Sequence, residues 1–264
     1  MNPFDAFILG LVQGITEWLP ISSSGHLVIV QTALNMDPTK NVLFDVIVHL
    51  GTLLAVCVYF SKELGRIIIS MLSRKANRDP QMEKLRTLGF LLLLGTIPAG
   101  LAGVFLESSI ENLFTGRVVA LGLVANGFLL LGYVKFGSNG TRKDARLVDA
   151  IIIGLFQAFA IIPGISRSGS TIGSGMLRGL ERETAAVFAF LLAVPTLVGA
   201  VAFGALTLPD TNLDLVSALT GLVVSFAVGL MSIPYLFKII KKGKFWVFGV
   251  YCIAAGALAA VFLF

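Results

Sequence analysis

The sequence predicts an all-α polytopic membrane protein, with six transmembrane helices and two re-entrant helical hairpins arranged as an inverted-topology repeat. Three observations support this prediction: the composition, the long apolar stretches and the distribution of charge. Apolar residues make up 56% of the 264-residue chain and charged residues only 13%, about half the charged share of an ordinary soluble domain. Together with a mean hydropathy of +0.90, this composition excludes a soluble domain, a disordered chain, collagen and a coiled coil.

Six apolar stretches are long enough to cross a hydrocarbon core of about 30 Å, which requires about 20 helical residues. They cover 43–61, 88–106, 117–135, 184–206, 215–237 and 245–264. Two further apolar segments, 5–19 and 149–162, are shorter and end in polar turns that begin at Pro20 and Pro163. The stretch 27–34 then leads back from the first turn. We expect both segments to form hairpins that turn near the middle of the membrane, where irregular backbone must be buried or line a wet cavity.

Basic residues are concentrated in every second connection between these spans. Seventeen of the twenty Lys and Arg residues lie in the connections 62–87, 135–146, 178–182 and 238–244. Because cytoplasmic loops are rich in Lys and Arg, we expect these connections to face the inside of the plasma membrane and both termini to face outside. The opposite connections contain Glu107, Glu111, Asp210 and Asp214, with Lys40 and Arg117 as basic members. The net charge of +5 therefore reflects topology, and no nucleic-acid partner is expected.

The two halves of the chain are related to each other. A shift of 144 residues pairs identical residues at Asp5-Ala6, Gly10-Leu11, Gln13, Ile21-Ser22, Ser24-Gly25, Phe44 and Thr52-Leu53. We expect a single membrane domain over 1–264, with repeat one at about 1–135 and repeat two at about 145–264. Each repeat has one hairpin and three spans, and an odd number of crossings inverts the second copy. Inverted repeats with broken helices place a binding site at the repeat interface near the midplane.

The first polar turn belongs to the segment QGITEWLPISSSGH, from Gln13 to His26. Glu17 lies one helical turn after Gln13, so both side chains share a helix face. A carboxylate in an apolar hairpin is unfavourable unless it is paired or functional, and we favour a functional Glu17 over an acid at a helix end near the interface. His26 lies near Glu17 and the serines at 22–24, which favours a general acid/base or nucleophile over a packing residue. The serines predict a helix N-cap, which also forms an anion site.

The second polar turn belongs to the segment PGISRSGST, from Pro163 to Thr171. Arg167 is the only basic residue that we cannot assign to a loop or an interface, and a guanidinium suits bidentate binding of phosphate. The alternative is a structural role as the partner of Glu17 across the repeat interface. Ser166, Ser168, Ser170 and Thr171 add hydroxyl donors. The two turns thus predict a buried anion site with acid/base groups, and hence phosphate chemistry on a lipid.

Asp45 and His49 lie one helical turn apart in the first full span. We expect Asp45 to cap that helix and His49 to pack inside the protein. A role in the site is the less favoured alternative for both residues.

The two turns resemble the signatures of the undecaprenyl-pyrophosphate phosphatase family, also called the bacitracin-resistance protein family. Its Glu/Gln-x-x-x-Glu motif is matched by Gln13 and Glu17, followed by SSSGH, and its P-G-x-S-R-S-x-x-T motif is matched from Pro163 to Thr171. Length, span number and repeat also fit, so the resemblance covers the whole chain. One departure is Gln13, where many members carry Glu.

The resemblance implies hydrolysis of a polyprenyl (undecaprenyl) diphosphate to inorganic phosphate and the monophosphate carrier used in cell-wall and peptidoglycan synthesis. It also implies a divalent cation, Mg²⁺ or Ca²⁺, and an active site that opens to the outer face. The implied catalytic residues are Glu17, Ser23, His26 and Arg167, with either Ser23 or His26 as the nucleophile. The implied substrate-binding residues are Gln13, Ser22, Ser24, Gly25, Ser166, Ser168 and Thr171. Glu17 and Gln13 are the implied cation ligands, and a homodimer is compatible with the family.

Two alternatives belong to other classes of membrane protein. A lipid-phosphate flippase or secondary transporter would use the same inverted repeat and paired hairpins, but a carrier needs no acid/base pair. A lipid phosphatase of the acid-phosphatase type shares the Ser-Gly-His sequence at 24–26. That class needs a histidine shortly after Ser-Arg, and no histidine follows Ser166, so we discount it.

Overall fold

The computed structural model describes residues 1–38, 41–73, 79–111, 113–137, 140–207 and 214–264, without the side chains of 107–111. Within these ranges the chain forms eleven helices. They are α1 (Pro3–Thr16), α2 (Ser23–Ala33), α3 (Val42–Tyr59), α4 (Ser61–Leu72), α5 (Pro80–Glu111), α6 (Gly116–Gly137), α7 (Leu147–Phe159), α8 (Arg167–Leu177), α9 (Arg182–Thr207), α10 (Leu215–Lys241) and α11 (Trp246–Phe262). An all-helical membrane protein is thereby confirmed for the described residues.

Five of the described helices, α3, α5, α6, α9 and α10, are long and apolar enough to cross a membrane. They coincide with five of the six predicted spans. The sixth predicted span, 245–264, corresponds to α11, an apolar helix of 17 residues that measures about 25 Å at 1.5 Å per residue. α11 packs along α6 in the most extensive contact between two described helices.

The connection 62–87 contains more regular structure than the sequence analysis anticipated. The amphipathic helix α4 buries Ile67 and exposes Ile68, Ile69 and Leu72. α5 then begins at Pro80, eight residues before the predicted span, because Asp79 accepts the amide N–H of Met82 at 2.7 Å and proline suits the first helical turn. Of the charges used to predict topology, Lys40, Arg74, Lys75, Arg78 and Asp210 lie outside the described residues.

The two predicted hairpin segments form helix–turn–helix units, α1–α2 and α7–α8. α1 packs against α10, and α7 packs against α5. Asn126 of α6 joins the two turns: its Nδ2 donates to the carbonyl oxygen of Pro20 at 3.1 Å, and its Oδ1 accepts from the amide of Ser166 at 3.0 Å. The hydroxyl of Ser168 also donates to the carbonyl oxygen of Leu19 at 3.0 Å. The polar turns are therefore in direct contact.

Two further contacts hold the turns in place. Trp18, which follows Glu17, stacks on Phe190 of α9 with ring centroids 5.0 Å apart. At the start of α7, the fully buried Asp149 accepts from Arg142 at 2.8 Å and from Arg178 at 3.0 Å. A buried carboxylate needs such partners because its desolvation is otherwise strongly unfavourable. These contacts fix one end of each hairpin region against the rest of the protein.

Candidate active site

The first turn directs a serine hydroxyl at Glu17. Ser22 caps α2 by accepting the amide N–H of Gly25 at 3.3 Å. Its φ of 68° is in the left-handed region, which non-glycine residues rarely adopt and in which residues of active sites are often found. Ser23 is the first residue of α2, and its Oγ donates to Oε2 of Glu17 at 2.6 Å.

The second turn directs a guanidinium at the same carboxylate. Gly164 has a φ of 89°, and a Cβ at this position would collide with the carbonyl oxygen of Val119, so only glycine fits here. Ser166 caps α8 by accepting the amide N–H of Gly169 at 3.1 Å. Arg167 is the first residue of α8, and its Nη2 pairs with Oε1 of Glu17. Ser23 and Arg167 are thus each the first residue of a capped helix, and they contact different oxygens of the Glu17 carboxylate.

The carboxylate of Glu17 is buried and surrounded by donors. Besides Ser23 and Arg167, Nε2 of Gln13 donates to its Oε2 at 2.9 Å. Gln13 itself is fully buried, and its Oε1 has no hydrogen-bond partner among the described residues. The ion pair with Arg167 that the sequence analysis weighed as a structural alternative is therefore present in the structure.

The ion pair leaves part of the Arg167 guanidinium without a partner. Its Nη1 is buried and has no hydrogen-bond partner among the described residues, while its Cζ lies 6.0 Å from the ring centroid of Trp18. A guanidinium can donate to several acceptors in one plane. Arg167 can therefore hold Glu17 and still donate to an anion.

A cavity of about 600 Å³ adjoins this carboxylate and lies between α3, α5 and α9. Its volume is typical of a ligand site. The predicted site residues that line it are Glu17, Ser22, Ser23, Ser24, Ser166, Arg167 and Ser168. Away from the turns, its wall consists mainly of apolar and small residues, including Val46, Gly100, Gly103, Gly199, Ala200 and Phe203. The cavity thus combines a polar end with an apolar passage between helices.

His26 is not part of the cavity lining. Its Nδ1 lies 2.8 Å from the carbonyl oxygen of Ser22, and its Nε2 lies 2.8 Å from the hydroxyl of Tyr251. A carbonyl oxygen only accepts hydrogen bonds, so Nδ1 carries a hydrogen and the neutral ring accepts from Tyr251 at Nε2. The catalytic role expected for His26 stays a prediction. In the structure both of its ring nitrogens contact Ser22 and Tyr251 instead of the cavity.

Three further predicted residues, Gly25, Ser170 and Thr171, also lie outside the cavity lining. The hydroxyl of Thr171 donates to the carbonyl oxygen of Arg167 at 2.9 Å, within the first turn of α8. Ser170 is buried on the same helix. Gly25 lies close to the second turn, where a Cβ would approach Gly164. The roles in binding substrate that the resemblance implies for Gly25 and Thr171 stay predictions.

His49 is closer to Glu17 than the sequence analysis anticipated. It lines the cavity, and its Nε2 lies 3.6 Å from Oε2 of Glu17. The prediction that Asp45 caps α3 is wrong: Asn41 precedes the helix, and Oδ1 of Asp45 accepts from Gln31 at 2.9 Å. Thr52 shares this face of α3 with His49, and its Oγ1 lies 3.4 Å from Nε2 of Gln13. The spacing in the sequence showed the shared face, and the structure shows that this face meets the site.

Other residues around the site escaped the sequence analysis. Asn126 connects the two turns, and no motif marks it. Thr96, Gln157 and Thr196 line the cavity. The repeat was the available signal for two of them, because the 144-residue shift pairs Gln157 with Gln13 and Thr196 with Thr52.

Comparison with known proteins gives matches along the whole chain. Residues 6–258 match the family model described as bacitracin resistance protein BacA. A protein named undecaprenyl-diphosphatase from Geotalea daltonii is 40% identical over 269 residues, covering 100% of this chain and 99% of the relative. Proteins of that name from Methanosphaera stadtmanae and Korarchaeum cryptofilum are 38% and 39% identical, covering 99% and 97% of this chain and 98% and 97% of the relatives.

Proposed function

Because the chain belongs to the bacitracin resistance protein BacA family, we infer that it is a membrane phosphatase that hydrolyses undecaprenyl diphosphate to undecaprenyl phosphate and inorganic phosphate. The observation that carries this inference is the convergence of Ser23 and Arg167 on Glu17 beside a cavity with an apolar passage. Release of inorganic phosphate from undecaprenyl diphosphate by the purified protein tests it.

The anion-binding part of the site is proposed to hold the diphosphate. Nη1 of Arg167, which has no partner among the described residues, would donate to phosphate oxygens and stabilise charge on the transferred phosphoryl group. Hydroxyls of Ser22, Ser24 and Ser166 and the first-turn N–H groups of α2 and α8 would bind the remaining oxygens. The hydroxyl of Ser168 donates to the carbonyl oxygen of Leu19, so Ser168 would contribute through its amide N–H. The polyprenyl chain would follow the apolar wall between α5 and α9 into the lipid.

Ser23 is the nucleophile that the geometry favours. Its hydroxyl donates to Oε2 of Glu17 at 2.6 Å, so the carboxylate orients the hydroxyl and can accept its proton. Attack of the Ser23 oxygen on the terminal phosphorus would break the bond to the bridging oxygen, which leaves with undecaprenyl phosphate. Water would then hydrolyse the phosphoserine. His26, bonded to Ser22 and Tyr251, would position this turn.

A divalent cation, Mg²⁺ or Ca²⁺, is part of the proposal. Oε1 of Gln13 is a buried acceptor without a partner among the described residues, so an amide oxygen is available to a hard cation. The carboxylate of Glu17 would join it by releasing one of the donors that it now accepts from, which are Ser23, Gln13 and Arg167. When bound, the cation would neutralise charge on the phosphate oxygens. Glu17 and Gln13 are the residues proposed to hold it.

The proposed topology has six spans, two re-entrant hairpins and both termini outside the plasma membrane. Its support is the packing of the helices. In the proposed repeat, α1 corresponds to α7, α3 to α9, α5 to α10 and α6 to α11. The contact of α1 with α10 then has its counterpart in the contact of α7 with α5, and α3 and α6 each pack against their own counterparts, α9 and α11. The cavity reaches the first turn of α3 and the C-terminal end of α9, which the charge distribution assigns to the outside. The site is therefore proposed to open to the outer face. A homodimer stays a prediction, which light scattering would test.

A further inference from the structure

The backbone of Ser22 determines where the proposed nucleophile points. The carbonyl group of Ser22 and the amide nitrogen of Ser23 belong to one planar peptide unit, so the orientation of that carbonyl fixes the start of α2 and the direction of the Ser23 side chain. Ser22 has a φ of 68°, and a non-glycine residue stays in this region only when surrounding contacts hold it there. The proposed attack by Ser23 therefore depends on what holds the Ser22 carbonyl.

Two donors of His26 hold this carbonyl. The backbone N–H of His26 donates to it at 3.2 Å, and the ring Nδ1–H donates to it at 2.8 Å. Only one tautomer of the neutral ring carries its hydrogen on Nδ1 and can make the second bond. The tautomer and the orientation of a histidine ring are set by the bond that its other nitrogen makes. The partner of Nε2 thus decides whether the ring continues to hold Ser22.

Tyr251 of α11 is that partner. Its hydroxyl lies 2.8 Å from Nε2 of His26, and the two rings stack with their centroids 5.6 Å apart. Because Nε2 has only a lone pair in this tautomer, the hydroxyl donates to it. His26 is 9% exposed, whereas Tyr251 is 44% exposed. Without the tyrosine hydroxyl, a buried acceptor would be left without its donor, which is unfavourable.

We propose that Tyr251 is a positioning residue of the phosphatase reaction. Acting through His26, it holds the Ser22 carbonyl and keeps Ser23 in place for attack. This inference rests on the function proposed above, with Ser23 as the nucleophile. Tyr251 does not line the cavity, so loss of its hydroxyl should leave binding of the lipid unchanged. The loss should slow the attack on the bound diphosphate, which lowers kcat at constant KM.

Steady-state kinetics of phosphate release from undecaprenyl diphosphate test the proposal with Tyr251→Phe, which removes the hydroxyl and retains the ring. We expect kcat to fall about five- to tenfold at unchanged KM, as for the loss of one hydrogen bond to a buried group. The matched control is Tyr235→Phe, at a residue of α10 that is 59% exposed and lies outside the cavity lining. Both constants of this control should stay at their wild-type values. An increased KM at unchanged kcat in Tyr251→Phe would overturn the proposal.

A double-mutant cycle separates positioning from a general loss of stability. His26→Asn keeps a side-chain N–H for the Ser22 carbonyl, but the shorter side chain does not reach Tyr251. If Tyr251 acts through His26, adding Tyr251→Phe to His26→Asn should lower kcat by less than about twofold. A further loss as large as that in the wild-type background would show that the two residues act independently, and would overturn the proposal.

The nitrogen-15 resonances of the histidine rings provide a readout that does not require turnover, and they also cover the case in which His26→Asn does not fold. The chain has two histidines, so the protein labelled at histidine gives two sets of ring resonances, and His49→Gln identifies those of His26. We expect Tyr251→Phe to shift the Nε2 resonance of His26 and to leave those of His49 unchanged.

Two results separate failure of this inference from failure of the proposed function. An unshifted Nε2 resonance of His26, or a Tyr251→Phe protein with wild-type kcat, would overturn the positioning role, while phosphate release by the wild type leaves the phosphatase function standing. A wild-type protein that releases no phosphate would contradict the proposed function, and this inference with it.

Discussion

Glu17 at the end of the first hairpin helix forms an ion pair with Arg167, the first residue of the helix that follows the second turn. The two residues are 150 positions apart in the chain, and each belongs to a different one of the two predicted repeats. The pair therefore joins the two hairpins at the point where the cavity begins. It also balances the charge of a buried carboxylate, which would be unfavourable without such a partner.

Arg167→Lys should lose most of the phosphatase activity although the charge is kept. A lysine ammonium can pair with Glu17 or with phosphate, but it has no planar fork to reach both. Loss of such a charge-stabilising donor costs about 10²–10³ in kcat. The measurement is the rate of phosphate release at saturating substrate. Arg66→Lys, at an exposed position of α4, is the matched control and should retain wild-type turnover. A folded Arg167→Lys protein with near-normal turnover would assign Arg167 a structural role only.

Gln13→Glu should lower the cation concentration needed for half-maximal turnover by about tenfold, because an added carboxylate raises the affinity for hard cations. The control is Gln81→Glu, which adds the same charge at an exposed position of α5 that does not line the cavity. That variant should leave the cation requirement unchanged. An unchanged requirement in Gln13→Glu, with an increased KM, would instead assign Gln13 to the diphosphate.

The topology predicts opposite labelling of the two faces of the membrane. Cysteines are introduced singly at Lys84 and Asp214, both exposed, in a background without Cys57 and Cys252. An impermeant thiol reagent should label the Asp214→Cys protein in intact cells and the Lys84→Cys protein only after permeabilisation. Labelling of both variants in intact cells would contradict the inverted repeat and the outward-opening site together.

Asp149→Asn should destabilise the protein by about 3 kcal/mol. Among the described residues, Asp149 is the carboxylate that pairs with both Arg142 and Arg178, and breaking a buried ion pair typically costs 3–5 kcal/mol. The lower end applies because the Arg142 side chain is 24% exposed and that of Arg178 is 38% exposed. Asp144→Asn, at a side chain that is 80% exposed, should change stability by less than about 0.5 kcal/mol. The free energy of unfolding in mixed micelles measures both, and equal effects would refute the structural role of Asp149.

The sequence was sufficient to locate the hairpin helices and the residues of both turns. Prolines and serines end apolar segments that are too short to cross a membrane. These ends are determined by local sequence, so they could be located without knowing how the helices pack. The shared face of Gln13 and Glu17 was predictable because helical spacing alone determines it. The pairing of Glu17 with Arg167 was recognised as an alternative, since a buried cation and a buried anion rarely stay unpaired.

Contacts between distant helices could not be predicted in this way. The hydroxyl of Tyr251 meets His26 across 225 positions, and Asn126 meets both turns from α6. Their side chains have no spacing relation to the motifs, because the packing of α6 and α11 brings them there. His49 was judged a packing residue for the same reason: its distance from Glu17 depends on how α3 crosses α1.

Phosphate release from purified protein in detergent tests the central claim most directly. Undecaprenyl diphosphate is supplied to the wild type, Ser23→Ala and His26→Gln, and inorganic phosphate and undecaprenyl phosphate are quantified together. We expect equal amounts of the two products from the wild type. Turnover should fall by roughly 10³ or more in folded Ser23→Ala, because the nucleophile is lost, and by less in His26→Gln. A wild-type protein that binds the lipid but releases no phosphate, with or without a divalent cation, would contradict the account.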